Sequence, residues 1–132
     1  MSRFYVDSSC LVAVAFQEDG YRAVAKLLDE ADELRASNLL EAELRAALVR
    51  EGVQLDPSGL LQKIVWILPD RPLSAEIQRV LSSGHLRGAD VWHLAHALWV
   101  DPRAEALAFL TLDDRQGAAA RRLGFRSPRL SR

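Results

Sequence analysis

The sequence predicts an α/β fold in which a mainly parallel sheet is flanked by helices. Short apolar runs of strand-like composition alternate with longer segments of helical periodicity along the 132 residues. Parallel strands need crossover connections, which the intervening helices supply. No repeat or low-complexity linker interrupts the alternation, and this length suits one compact domain. A single domain over residues 1–132 is therefore expected.

In the N-terminal half, the pattern predicts two strands and three helices. In chain order they are the strand RFYVDSS ending at Asp7, the helix LVAVAFQ, the helix YRAVAKLLDEA, the brief strand ELRAS and the helix NLLEAELRAALVREG. Asp7 or Ser8 can cap the first helix, because both side chains accept hydrogen bonds from the free N–H groups of a first turn. Gly52 ends the third helix, since glycine readily adopts the left-handed conformation of a helix end.

In the C-terminal half, the pattern predicts four helices and two strands. In chain order they are a helix from Pro57 through GLLQKIVWI, the helix LSAEIQRVLSSGH, the helix ADVWHLAHALWV between Gly88 and Pro102, the strand ALAFLTL, the helix DRQGAAARRLG and a last short strand opening at Phe125. The PDRP stretch breaks the first of these helices, because proline has no N–H donor for the helical ladder.

Composition and charge are typical of a soluble globular protein. Hydrophobic residues make up 49% and charged residues 27%, and the formal net charge of −1 gives no overall basic field. No segment approaches the roughly 20 apolar residues that cross a bilayer, and MSRFYVDSS lacks the apolar core of a secretory signal. We therefore expect no membrane association and a cytoplasmic location. Cys10 is the only cysteine, which excludes an internal disulfide and a cysteine-rich zinc site.

The C-terminal segment is basic although the chain as a whole is nearly neutral. After Asp114 it has no acidic residue and six arginines: Arg115, Arg121, Arg122, Arg126, Arg129 and Arg132. The arginine fork suits phosphate oxygens, so a phosphate-binding edge is one interpretation. A solvated terminus is the other.

Two acids stand where predicted strands end. Asp7 follows the first strand, and Asp113 follows the strand ALAFLTL. In open parallel sheets, ligands bind beyond the carboxyl ends of the strands. Each acid can instead be a helix cap. After the strand ALAFLTL, two adjacent acids, Asp113 and Asp114, stand where such a cap is expected.

Two further acids lie on helices that should be largely buried. Glu41 can pair with Arg45 on a solvated face, whereas Glu43 lies between two apolar sides of its helix, where an internal pair with Arg50 is the alternative to a functional role. Asp90 begins a helix that is apolar nearly all round. The helix dipole favours an acid there by roughly 0.3–1 kcal/mol, which is less than the several kcal/mol that burial of an ion costs.

The remaining polar and aromatic residues of that helix have structural interpretations. The i, i+3 spacing of His93 and His96 could hold a metal, but a second pair of ligands is missing, so core or interface histidines are favoured. Trp92 and Trp99 are interpreted as packing residues.

Four carboxylates in one pocket would repel one another and raise their own pKa values, and a divalent metal reverses that interaction. All-oxygen ligands suit Mg²⁺ or Mn²⁺. Two such ions about 3.5–4 Å apart can hold the attacking and leaving oxygens of a phosphodiester in line. The acids therefore indicate metal-dependent hydrolysis of nucleic acid.

Four segments carry a family resemblance. YVDSSCLV, SNLLEAEL, LRGADVWHLAHAL and FLTLDDR resemble, in order and spacing, the four acidic motifs of the PIN-domain ribonucleases, especially the VapC toxins of bacterial toxin–antitoxin pairs. The resemblance covers nearly the whole chain. It implies a three-layer α/β/α sandwich, a homodimer, a VapB-like antitoxin that blocks the site, and an RNA substrate.

Carried over by position, the resemblance also implies roles for single residues. It makes Asp7, Glu43, Asp90 and Asp113 the catalytic ligands of Mg²⁺ or Mn²⁺. Four other residues are implied as supporting ones: Ser9 and Thr111 as polar helpers, Asp114 as the cap of the next helix, and Arg115 as a basic residue that often follows the fourth motif. Asp113 is chosen over Asp114 because it follows Thr111 by two residues.

Two functions from different classes are compatible with this sequence. One is a Mg²⁺-dependent endoribonuclease acting as a toxin, and the other is a catalytically inactive module of the same fold that binds protein or RNA. Other α/β hydrolase classes lack their signatures here, because the sequence has no phosphate-binding Gly-rich loop, no D-x-D at the first strand and no G-x-S-x-G elbow. Arginines that could contact RNA are Arg45, Arg50, Arg87 and those of the tail. The segment from Pro57 to Gly84, rich in Leu, Ile and Val, is predicted as the dimer or antitoxin surface.

Overall fold

A four-stranded, all-parallel sheet forms the centre of the protein. The structure is a computed structural model and describes residues 2–130, so Arg132 of the basic tail lies outside the described residues. The elements are β1 (Arg3–Val6), α1 (Ser8–Ala15), α2 (Tyr21–Glu30), β2 (Glu33–Ser37), α3 (Leu39–Arg50), α4 (Ser58–Leu61), β3 (Ile64–Ile67), α5 (Ser74–Ser82), α6 (Gly88–Val100), β4 (Ala108–Leu110) and α7 (Asp114–Arg122). The strands lie in the order β3-β2-β1-β4.

Helices cover both faces of the sheet, which confirms the predicted α/β/α sandwich. Successive residues of a strand point to opposite faces. Val6 of β1 and Leu110 of β4 belong to a core shared with α1, α2 and α3. Tyr5 and Phe109, one position earlier in the same strands, belong to a second core shared with α5, α6 and α7.

One predicted element is wrong in type. The helix predicted from Pro57 through GLLQKIVWI ends after the single turn α4, and Ile64–Ile67 forms the edge strand β3, paired in parallel with β2. The run IVWI is β-branched and aromatic, and periodicity cannot separate so short an apolar run from a helical one. Pairing with β2 decides in favour of a strand. The strand predicted at Phe125 is reduced to one parallel bridge between Ala108 and Arg126.

The chain breaks at the positions that the sequence indicates. Asp7 caps α1, as one of the two predicted alternatives. Gly52 follows α3 with a φ of 66°, a conformation that costs glycine little. In the range 2–130, no helix has both the length and the apolar character needed to span a bilayer.

Asp101 organises the connection from α6 to β4. Its Oδ1 accepts a hydrogen bond from the backbone N–H of Glu105 at 3.1 Å, and its Oδ2 accepts from Ala106 at 2.8 Å and Leu107 at 2.9 Å. Burial raises the pKa of Asp101, but the three N–H donors outweigh it and hold the pKa below 3.8. The carboxylate form is therefore the one that this loop stabilises.

We expect Asp101→Asn to lower the free energy of unfolding by about 1–3 kcal/mol at neutral pH, because the amide NH₂ replaces one carboxylate oxygen and cannot accept from the N–H that this oxygen bonds. A lowered acid pKa gives stability that is present above the ordinary pKa and is lost as the pH falls through the folded-state pKa. The difference between Asp101→Asn and the unaltered protein should therefore shrink below about pH 4. Urea unfolding at pH 7 and pH 3 measures both, and an equal difference at the two pH values would contradict the argument.

Candidate functional site

The candidate site lies at the carboxyl ends of β1 and β4, which are neighbours in the sheet. Their pairing continues past the strands, because the N–H of Asp7 donates to the carbonyl of Leu110 at 3.2 Å. The chain leaves β1 through Asp7 and leaves β4 through Thr111 and Asp113. The structure thus places Asp7 and Asp113 at one edge of the sheet, as the sequence predicts.

Asp7 is buried, with 4% of its surface exposed. Its Oδ1 accepts hydrogen bonds from the backbone N–H of Ser9 at 3.1 Å and from the Ser9 hydroxyl at 2.5 Å. Burial raises the pKa of Asp7, while Ser9, Thr111 and His93 lower it in part. A buried carboxylate with a raised pKa is one that gains from a nearby cation.

Ser9 and Thr111 connect the two strand ends. Their hydroxyl oxygens are 3.4 Å apart. The Ser9 hydroxyl also accepts from the N–H of Leu112 at 2.9 Å, and the Thr111 hydroxyl accepts from the N–H of Asp113 at 3.0 Å. These two side chains therefore hold the loops that carry Asp7 and Asp113 next to each other.

The prediction that Asp114 caps the helix after β4 is wrong. Asp113 is the N-cap of α7, with Oδ1 accepting from the N–H of Arg115 at 2.9 Å and of Gln116 at 3.2 Å, whereas Asp114 is the first residue of the helix. The reason is backbone geometry, because a cap residue is extended (φ −86°, ψ 117° at Asp113) and helical dihedrals begin one residue later. Capping uses Oδ1 and fixes the direction of the carboxylate.

Glu43, on the second turn of α3, pairs with a histidine and not with Arg50. Arg50 contacts Glu51 at 3.1 Å, while Glu43 Oε1 lies 2.7 Å from Nε2 of His93. Burial raises the pKa of Glu43, but the hydrogen bond and charge interaction with His93 and a hydrogen bond with Ser8 outweigh it, so the pKa is lowered. The predicted pair of Glu41 with Arg45 is confirmed at 2.8 Å.

Asp90 stands half-buried in the first turn of α6. Its pKa is raised, first by burial and then by the charges of Asp113 and Glu43, while His93 and Arg87 lower it. The Nε2 of the buried Gln116 donates to the carbonyl of Asp90 at 3.0 Å. Asp90 is therefore within electrostatic range of two of the other predicted ligands.

We call the group of Asp7, Glu43, Asp90 and Asp113 the acidic edge. Within residues 2–130, no three side chains of His, Cys, Asp or Glu are grouped closely enough to form a metal site as they stand. The donor chemistry nevertheless fits a hard divalent cation, since all four groups are carboxylates and the charges of Asp113 and Glu43 raise the pKa of Asp90. A cation between them would replace this repulsion with attraction.

The structure separates the two histidines of α6. Both are buried, but His93 contacts Glu43 and Tyr5, whereas His96 Nδ1 lies 2.8 Å from the carbonyl of Trp92 in its own helix. This agrees with core histidines and not with a histidine metal pair. The sequence did not reveal Tyr5 as part of the site, and the only signal was a tyrosine among the apolar residues of β1.

The arginines of the basic tail have different environments. Arg121 donates to the carbonyl of Ser127 at 2.8 Å and Arg122 to that of Ser83 at 2.9 Å, so both stabilise the fold. Arg129 is exposed and lines a cavity of about 350 Å³ together with Asp113 and other residues of the α7 and C-terminal segments. A basic side chain thus borders the acidic edge.

The chain is similar to known proteins in both sequence and fold. The family model of the PIN domain matches residues 4–122. Among solved structures, the chain is similar to a crystal structure of VapBC2 from Rickettsia felis bound to a DNA fragment from the promoter, with a TM-score of 0.68 and 14% sequence identity over 98% of this chain and 99% of that one. At this identity the likeness is one of fold. No curated protein sequence matches the chain.

Proposed function

The chain belongs to the PIN-domain family, and from this premise we propose that it is a metal-dependent endoribonuclease and the toxin of a VapBC-type pair. The observation that carries the proposal is the acidic edge. Asp7 and Asp113 follow the neighbouring strands β1 and β4, Glu43 and Asp90 stand on α3 and α6, and the charges of Asp113 and Glu43 act on Asp90. Such an arrangement costs stability unless a cation completes it.

In this proposal Asp7, Glu43, Asp90 and Asp113 hold Mg²⁺ or Mn²⁺. Ser9 orients Asp7, and the first turn of α7 orients Asp113, each through a carboxylate oxygen. Such outer contacts set the direction of metal ligands. When bound, the metal stabilises the negative charge that develops on the phosphodiester during hydrolysis.

We propose that RNA reaches the acidic edge along the side where Arg129 and Arg115 lie. Both are exposed and follow Asp113 in the chain, and Arg129 shares a cavity with it. An arginine beside a carboxylate cluster offsets the repulsion between those carboxylates and an incoming phosphate.

VapBC2, the protein of similar fold, is recorded in complex with promoter DNA, and by likeness of fold we propose a VapB-like antitoxin and a homodimer for this chain, acting in the cytoplasm. The segment from Pro57 to Gly84 remains the proposed contact surface. It contains the edge strand β3 and the exposed apolar side chains Val65, Leu68 and Leu81, and exposed apolar patches mark interaction sites.

Cleavage of total cellular RNA by the purified protein, freed of any partner, tests the nuclease function. We expect discrete fragments with Mg²⁺ or Mn²⁺, none with EDTA, and none from Asp7→Ala under any condition. Growth arrest on expression, relieved by a co-expressed antitoxin, tests the toxin role separately. A folded protein that cleaves no RNA with either metal would contradict the enzyme and favour the binding module of the same fold.

A further inference from the structure

Resting on the proposed function, we propose that His93 is a positioning residue that fixes the carboxylate of Glu43 within the acidic edge, and that Tyr5 in turn fixes His93. The three side chains come from α6, α3 and β1 and form one chain of hydrogen bonds.

The imidazole of His93 is held at both nitrogens. The ring is 2% exposed, Nε2 lies 2.7 Å from Glu43 Oε1, and Nδ1 lies 2.7 Å from the hydroxyl of Tyr5. Rotation of the ring would break both hydrogen bonds and leave polar atoms of a buried ring without partners, which is unfavourable. The position of Nε2 is therefore determined by the fold.

Tyr5 is itself fixed. Its ring is fully buried and stacks on Phe109 with 5.1 Å between ring centroids. Its hydroxyl accepts from the backbone N–H of Ser37 at 3.2 Å, and because that N–H can only donate, the hydroxyl hydrogen is free for Nδ1 of His93. With the tyrosine hydroxyl donating to Nδ1, Nδ1 is the acceptor and the ring N–H at Nε2 faces Glu43 Oε1.

The hydrogen bonds from Tyr5 to His93 and from His93 to Glu43 end on one of the four acids of the acidic edge. Glu43 is only half-buried, and its charge acts on Asp90. Without His93, Glu43 would keep only its hydrogen bond with Ser8, and repulsion from the other acids would turn the side chain toward solvent. His93 keeps Glu43 facing them, so the ligand is in place before a cation arrives.

His96 provides a matched control on the same helix. It is also 2% exposed, but its ring contacts Trp92, with a hydrogen bond of 2.8 Å to the backbone carbonyl and ring centroids 4.4 Å apart. Replacement of either histidine removes a buried imidazole from α6. Only the replacement of His93 removes a donor to Glu43.

The test compares Mn²⁺ binding to the full chain by titration calorimetry, with melting temperature recorded for each variant. We expect His93→Leu to weaken Mn²⁺ affinity about 10–100-fold, Tyr5→Phe to weaken it less, and His96→Leu to retain the affinity of the unaltered protein. His93→Gln, whose amide N–H can replace Nε2, should recover part of the affinity. RNA cleavage should follow the same order.

Three results would overturn the proposal. A folded His93→Leu with unaltered Mn²⁺ affinity, beside a weakened Glu43→Gln, would reject the positioning role and keep the metal site. Equal weakening in His96→Leu would assign the effect to core packing. Absence of both Mn²⁺ binding and RNA cleavage in the unaltered protein would reject the proposed function together with this inference.

If His93→Leu fails to fold, nuclear magnetic resonance of the histidine ring nitrogens in the unaltered protein tests the proposal instead. We expect the His93 ring to carry its proton on Nε2, and its nitrogen signals to shift on addition of Mg²⁺ while those of His96 stay in place. A His93 ring that is protonated only on Nδ1, or that does not respond to Mg²⁺, would overturn the proposal.

Discussion

Asp7→Asn is expected to lower RNA cleavage by about 1,000-fold or more while the chain stays folded. The carboxylate is buried at the end of β1 and is the proposed metal ligand with the least access to solvent. Asparagine keeps an oxygen that can accept from the N–H and hydroxyl of Ser9, so the cap of α1 is retained. What is lost is the negative charge that a divalent cation needs.

The same substitution is expected to stabilise the metal-free protein at neutral pH. Burial raises the pKa of Asp7 above 3.8, so between the unfolded and folded pKa values the folded state binds more protons. In that window the free energy of unfolding falls as the pH rises, and above it the cost is complete. The asparagine amide of the variant carries no charge at any pH. Urea unfolding with EDTA across pH 4–8 should therefore show a flatter profile for Asp7→Asn.

Mg²⁺ or Mn²⁺ should make the unaltered protein more stable than Asp7→Asn. A ligand at about 100 times its dissociation constant stabilises the folded state by about 2.7 kcal/mol, and only a protein with Asp7 intact should gain this. Asp56→Asn is the matched control, because Asp56 accepts from the N–H and hydroxyl of Ser58 in the same way, on the exposed surface. Asp56→Asn should cleave RNA normally. An active Asp7→Asn would remove Asp7 from the proposed ligands.

The sequence predicted the parts of the fold that depend on local pattern. The strand before Asp7, the buried helix α6 and the strand before Thr111 have clear apolar runs and clear ends, and the structure confirms them. The helix predicted through Ile64–Ile67 is wrong because these four residues form a strand only by pairing with β2. Pairing of that kind is a tertiary effect that no local window contains.

In the candidate site, too, local sequence pattern predicted some features and tertiary contacts determined the others. The four acids could be predicted because each departs from its local pattern, at a strand end or on an apolar helix. Their contacts could not be predicted, since His93 lies 50 residues from Glu43 and 88 from Tyr5. The alternatives of cap and ligand also proved not to exclude each other, because Asp7 and Asp113 both cap helices at the edge where a ligand would bind.

Two adjacent acids, Asp113 and Asp114, follow β4 and are expected to differ in function. We expect Asp113→Asn to lower RNA cleavage by about 1,000-fold or more, and Asp114→Asn to retain it within a few-fold. The charge of Asp113 raises the pKa of Asp90, which places it electrostatically with the acidic edge. Asp114 is the exposed first residue of α7, where an acid gains about 0.3–1 kcal/mol from the helix dipole.

Stability measurements separate the two roles of Asp113. Asparagine caps a helix about as well as aspartate, whereas alanine costs about 1 kcal/mol at this position. Asp113→Asn should therefore lose activity at nearly unchanged stability, and Asp113→Ala should lose both. If Asp113→Asn cleaves RNA and Asp114→Asn does not, the fourth ligand is Asp114 and Asp113 is a cap only. If both cleave RNA, the acidic edge has three acids, and the function of the end of β4 is to hold Thr111 against Ser9.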